Sequence, residues 1–159
     1  MAIFGRSQPP PGRAMGWYNN RSDPPLQLSF MRPNADNVDG TWTNESNSNV
    51  NLFASIDEIT ASDSDFIKSK LDPVADVVKL KLDTPISTNP PVTIFYRYWK
   101  TGAGAMNLVV RLKQGNTTIA SNTHNGISKD HTDGSFSLST PEFNNITNFS
   151  DLYIEFQAN

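Results

Sequence analysis

From Val77 onward, segment after segment carries apolar residues at every second position, and nowhere do they recur at helical spacing for long. Val78, Leu80 and Leu82 alternate with Lys79 and Lys81, as the two faces of a strand require. Met106, Leu108, Val110 and Leu112 repeat the pattern. So do Leu152, Ile154 and Phe156 within Asp151–Gln157, and Ser135–Ser139 around Phe136 and Leu138. Gly102–Gly104 and Gln114-Gly115-Asn116 supply turns, the second leading into Thr117–Thr123 as a hairpin partner. Asp133-Gly134 precedes the alternating Ser135–Ser139. Thr140-Pro141-Glu142 reads as an N-cap, a first-turn proline and a first-turn acid, predicting a single helical turn to about Ile146. Strands at this spacing without long helices predict an all-β protein, an antiparallel β-sandwich of jelly-roll-like form.

The segment Val92–Lys100 differs from the other strands. Val92, Ile94, Tyr96 and Tyr98 share one face, and Phe95, Arg97 and Trp99 share the other. Large side chains on both faces predict a central strand, its second face covered by a loop, the N-terminal segment or another subunit.

The N-terminal residues obey other rules. Residues 1–35 hold six of the eleven prolines and four arginines against one aspartate, whereas 36–159 hold nine Lys/Arg against fifteen Asp/Glu. Pro9-Pro10-Pro11 and Pro24-Pro25 remove amide donors and fix φ, so residues 1–25 form neither a helix nor a central strand. Leu26–Phe30 alternates and predicts a short strand closed by Pro33. The division is therefore a Pro-rich basic arm, 1–35, and a sandwich domain, 36–159. One account of the arm is a terminus with nothing to pack on. The other is an extended arm that orders against a partner, with Phe4, Trp17 and Tyr18 as anchors and Arg6 and Arg13 bonding acidic or carbonyl groups. Trp and Phe are costly in a mere spacer, which favours the arm.

Several chemistries are disfavoured. The chain has no cysteine, which removes disulfides, thiolate catalysis and Cys-based zinc sites. No apolar run approaches the ~18 residues of a membrane span, and the first residues lack a signal-peptide core. Few arginines in the arm and an acidic body argue against nucleic acid. No nucleophile motif is present, and no catalytic residues are assigned; the expectation is a non-enzyme without a cofactor. Asp57, Glu58, Asp63 and Asp65 are a weak calcium candidate, since clustered carboxylates supply oxygens, but they lack EF-hand spacing and suit a turn equally well. His124 and His131, with Asp130 and Asp133 near, read as solvated loop residues rather than zinc ligands. Trp42, Phe95, Tyr96, Tyr98 and Trp99 admit stacking on sugar rings beside Arg97, against packing under the arm or another copy.

The order of several segments resembles a β-sandwich module of bacteriophage virion proteins. They are Trp42, LFASIDE (52–58), SDSDFI (62–67), YRYWK (96–100), NLVVRLKQG (107–115), TIASNTH (118–124) and ITNFSDLYIEFQAN (146–159). The opening MAIFGRSQPPP also resembles small phage head proteins whose N-termini clamp onto the shell. The resemblance implies a capsid decoration, or cement, protein. It would be a homotrimer on the outer surface of the virion, made in the host cytoplasm, its arm lying on the major capsid protein. A carbohydrate-binding module of a fibre or adhesin, or a tail or neck component, is the alternative.

Overall fold

The computed structural model describes residues 31–58, 60, 62–84 and 91–159. The arm residues Phe4, Arg6, Arg13, Trp17 and Tyr18 and the strand expected at Leu26–Phe30 lie outside them. Among the described residues there are nine strands: β1 (Pro33–Val38), β2 (Thr43–Asn44), β3 (Ile67–Lys68), β4 (Asp76–Leu82), β5 (Thr93–Tyr98), β6 (Leu108–Gln114), β7 (Thr117–His124), β8 (Thr132–Ser137) and β9 (Leu152–Ala158). The only α-helix among the described residues is α1 (Thr140–Asn144), and short 3-10 turns occupy Leu52–Ser55 and Phe149–Asp151. No helix among the described residues is long and apolar enough to cross a membrane. The protein is all-β, and every strand pair is antiparallel.

The main sheet has the order β1-β4-β9-β6-β7, with the C-terminal strand at its centre. Register shows why the alternating sequence produces it. Val78 pairs with Phe156, which pairs with Val110; Leu80 pairs with Ile154, which pairs with Leu112. Two apolar rows therefore run across three strands on the inner face, and cross-strand rows of this kind stabilise a sheet. Between them on the outer face lies the row Lys79–Glu155–Arg111.

Two small covers close the inner face. On one side stand β2 and β3, paired together, with the 3-10 turn Leu52–Ser55. The Asp36 carboxylate on β1 accepts hydrogen bonds from the amides of Leu52 and Phe53, both at 2.9 Å, which fixes that turn against the sheet edge. On the other side stands the β5-β8 pair. Phe156 on the central strand touches both covers, with its ring 6.5 Å from Trp42 and 6.4 Å from Tyr96.

Four local expectations are corrected. The boundary after residue 35 falls inside β1, because Pro33 and Ala35 already pair with Leu82 and Lys81. Among the described residues β5 pairs with β8 alone, not with a strand on each side. Its outward Arg97 and Trp99 hold the 62–67 loop, one of the covers expected for that face. Asp133-Gly134, read as preceding the strand, is part of β8, opposite Arg97 and Tyr96. A Cβ at Gly134 would lie 2.5 Å from the Tyr96 ring, so glycine is what lets that ring lie flat across the neighbouring strand. Finally, the N-cap of α1 is Ser139 rather than Thr140. The Glu142 carboxylate accepts the Ser139 amide at 2.7 Å and completes a capping box.

Candidate functional site

β5 sorts its side chains to two faces, and each face builds a cluster. Inward, Tyr96 and Tyr98 close on His124 at the end of β7, which lies on the opposite layer. The Tyr96 hydroxyl is 2.6 Å from His124 Nε2, and the Tyr98 hydroxyl is 2.9 Å from Nδ1. Asn122 Nδ2 donates to the Tyr96 hydroxyl at 3.0 Å. The Tyr98 and His124 rings lie 4.3 Å apart. His124 is thus a half-buried tie between the two layers, not the solvated loop residue its turn-rich surroundings imply. Burial holds its pKa below the ordinary value of 6.5, because a charged imidazole would lose water without gaining an anionic partner.

The sign of the consequence follows. The unfolded chain takes up the proton first as pH falls, so the stability contributed by neutral His124 is complete above about 6.5 and is lost below that value. Urea melts at stepped pH should show stability falling as pH drops below the ordinary histidine range. His124→Gln should flatten that fall, and an unchanged slope in the variant would remove His124 as its cause.

Outward, Arg97 holds two acids from distant segments. Its Nε donates to Asp133 Oδ1 at 2.7 Å, its Nη2 to Asp133 Oδ2 at 3.3 Å, and its Nη1 to Asp63 Oδ1 at 2.9 Å. The other Asp63 oxygen lies 3.1 Å from His131 Nδ1. Arg97 keeps both Asp63 and Asp133 below the usual carboxylate range, with His131 adding to the effect on Asp63. Trp99 lies 4.3 Å from the His131 ring and meets Phe66 edge-on at 5.4 Å. The cluster fastens the 62–67 loop to the β5-β8 pair. Phe95 takes no part in it and is 75% exposed.

The remaining candidates separate in space. Asp63 turns to Arg97, whereas Glu58 and Asp65 face each other, and burial and that contact raise the Glu58 pKa. The Asp57 carbonyl accepts Arg32 Nη1 at 3.2 Å. Among the described residues no three His, Asp or Glu side chains converge as metal ligands do. His124 and His131 belong to the clusters on opposite faces of β5 and do not approach a common centre. Trp99 is engaged from within the chain by His131 and Phe66 rather than held open beside Arg97.

A feature missed in sequence is a cleft of about 2420 Å³ between the covers, over the inner face of the main sheet. Leu71, Val74 and Phe95 line it and are 79%, 84% and 75% exposed. Only Phe95 gave a signal in sequence; Leu71 and Val74 sit in a loop with no period. No family model matches the chain, and comparison with curated proteins and with solved structures returns no match.

Proposed function

We propose that the chain is a structural protein of a phage virion. In this reading it is a decoration protein whose jelly-roll-like sandwich sits on the outside of the shell and whose N-terminal arm lies across the major capsid protein, three copies associating. The observation that carries the protein-binding part is that Leu71, Val74 and Phe95 are exposed apolar side chains, each bordering the cleft. Apolar side chains gathered at a groove mark contact surfaces more often than chance exposure. The phage shell comes from the sequence resemblance over residues 42–159.

The mechanism is mechanical. Prolines restrict the unbound arm, so ordering it costs less entropy than ordering a flexible segment. Each anchor among Phe4, Trp17 and Tyr18 that is buried adds roughly 1.5–3 kcal/mol. Arg6 and Arg13 supply charge-assisted hydrogen bonds. Repetition over many copies holds shell subunits together. The Trp99 contacts with His131 and Phe66 favour this reading over glycan stacking.

Deleting residues 1–22 should abolish occupancy on shells, measured as the ratio of this chain to the major capsid protein in purified particles. Wild-type occupancy by the truncated chain would end the arm mechanism. Binding on a glycan array that disappears in Trp99→Ala would instead favour the adhesin.

A further inference from the structure

We propose that Asn125-Gly126 is a site of spontaneous covalent modification, at which the asparagine closes to a succinimide and reopens as aspartyl and isoaspartyl forms. Asn107 restrains the reaction by engaging the amide that would attack. The inference concerns the isolated chain and stands independently of any shell.

The chemistry needs only water and a base from solvent. The Gly126 amide nitrogen gives up its proton and attacks the carbonyl carbon of the Asn125 side chain. A C–N bond forms there, the bond to the side-chain nitrogen breaks, and that nitrogen takes up a proton and leaves as ammonia. Water then adds to either carbonyl of the five-membered ring. One opening gives an ordinary aspartyl link. The other carries the main chain through the side chain, with one methylene more. Asparagine is among the chemically labile residues, and a following glycine favours closure because it has no Cβ to crowd the ring.

The structure singles out this pair. Asn125-Gly126 is the one Asn-Gly step in the sequence. Both residues are exposed, just beyond the end of β7, and nothing lies within 4 Å of a Cβ built at Gly126. The two Asp-Gly steps could close the same ring but are held. Both carboxylate oxygens of Asp133 accept from Arg97, within β8. Asp39-Gly40 lies in a packed turn, where even a Cβ at Gly40 would collide with the Val77 carbonyl.

The restraint is equally specific. The Gly126 amide donates to Asn107 Oδ1 at 2.9 Å, so the proton that must leave is already engaged. Asn107 is itself fixed: its amide donates to the Asn159 carbonyl at 2.9 Å, and the Asn159 amide to the Asn107 carbonyl at 3.0 Å. The next amide of the turn, that of buried Ile127, donates to the Met106 carbonyl at 2.9 Å. Met106 and Asn107 thus hold two successive amides, and the Asn107 bond is the one on the reactive nitrogen. An extra methylene at 125 would fall between His124, held by Tyr96 and Tyr98, and Ile127 in the core.

Peptide mapping of the folded chain, held in mildly alkaline buffer, should find Asn125 converted before any other asparagine. Asn107→Ala should speed that conversion about fivefold, the ratio that one hydrogen bond of ordinary net worth supports. Asn107→Asp, which keeps an oxygen for the Gly126 amide, should stay near the wild-type rate. In Asn107→Ala, amide exchange should rise at Gly126 and not at Ile127, which separates loss of the restraint from general loosening. Earlier conversion at another asparagine, an unchanged rate in Asn107→Ala, or exchange rising equally at both amides would overturn the proposal. If Asn107→Ala fails to fold, the Gly126 amide of the wild-type chain decides: protection from exchange supports the restraint, and exchange at the rate of a free amide overturns it.

Discussion

Gly40→Ala should destabilise the protein by about 3–4 kcal/mol, because it combines a disfavoured backbone conformation with a collision against fixed atoms. Gly40 has φ +56°, and a Cβ there would lie 2.3 Å from the Val77 carbonyl oxygen and 2.8 Å from Asp76 Oδ1. Neither neighbour can yield cheaply. Val77 lies within β4, whose register is set by β9. The Asp76 carboxylate is buried and accepts both the Thr41 amide, at 3.0 Å, and the Thr41 hydroxyl. The turn also carries Trp42 into the core, since the Trp42 amide donates to the Asp39 carbonyl at 3.0 Å and the indole Nε1 to the Asp76 carbonyl at 3.3 Å. Opening the turn to admit a methyl group would drag the indole off Phe156. Gly102 is the control, as nothing lies within 4 Å of a Cβ there. Denaturant melts that place Gly40→Ala beside Gly102→Ala would refute the account.

The two positions show what the sequence could and could not disclose. Where apolar residues alternate, as in β4, β6 and β9, burial of one face decides the strand and its inward side, and both were legible; the pairing between strands was not. β1, reading PNADNV, has no such alternation. It is a strand because it lies on the free edge of β4 and because Asp36 serves the amides of the turn at Leu52. Gly134 was left outside the strand for a similar reason: glycine punctuates loops and also makes room for rings, and only the Tyr96 partner distinguishes the two. The division of β5 into an inward and an outward set was legible from period two. Its partners were not, since Asp63 and Asp133 reach Arg97 from 34 and 36 residues away and His124 reaches Tyr96 from 28. The acidic group at 57–65 was read by proximity in sequence. It divides because Arg97 captures one member and Glu58 and Asp65 turn to each other.

Glu155→Ala should cost about 2–3 kcal/mol while leaving any binding to a partner intact. Glu155 is 7% exposed on the outer face of the central strand, where its carboxylate accepts Arg111 Nη1 at 2.8 Å and Lys113 Nζ at 3.0 Å. Lys79, also 7% exposed, flanks it from β4. The Lys79 ammonium donates to the Gly115 carbonyl at 2.9 Å and sits 4.4 Å above the Tyr153 ring. Truncating Glu155 leaves two cations without their shared anion. Because Arg111 and Lys113 keep some contact with water, the penalty falls below that of a fully buried pair. Glu155→Gln should cost less, since one amide oxygen still accepts a bond. A double-mutant cycle of Glu155→Ala with Lys113→Ala should return a favourable coupling; strict additivity would show that the contact contributes nothing. These side chains satisfy one another across three strands, so the outer face of the main sheet is closed by its own charges. A partner is then expected at the opposite, cleft side, beside Leu71, Val74 and Phe95. On the proposed decoration role, Phe95→Asp should lower shell occupancy with little change in melting, and Glu155→Ala should do the reverse.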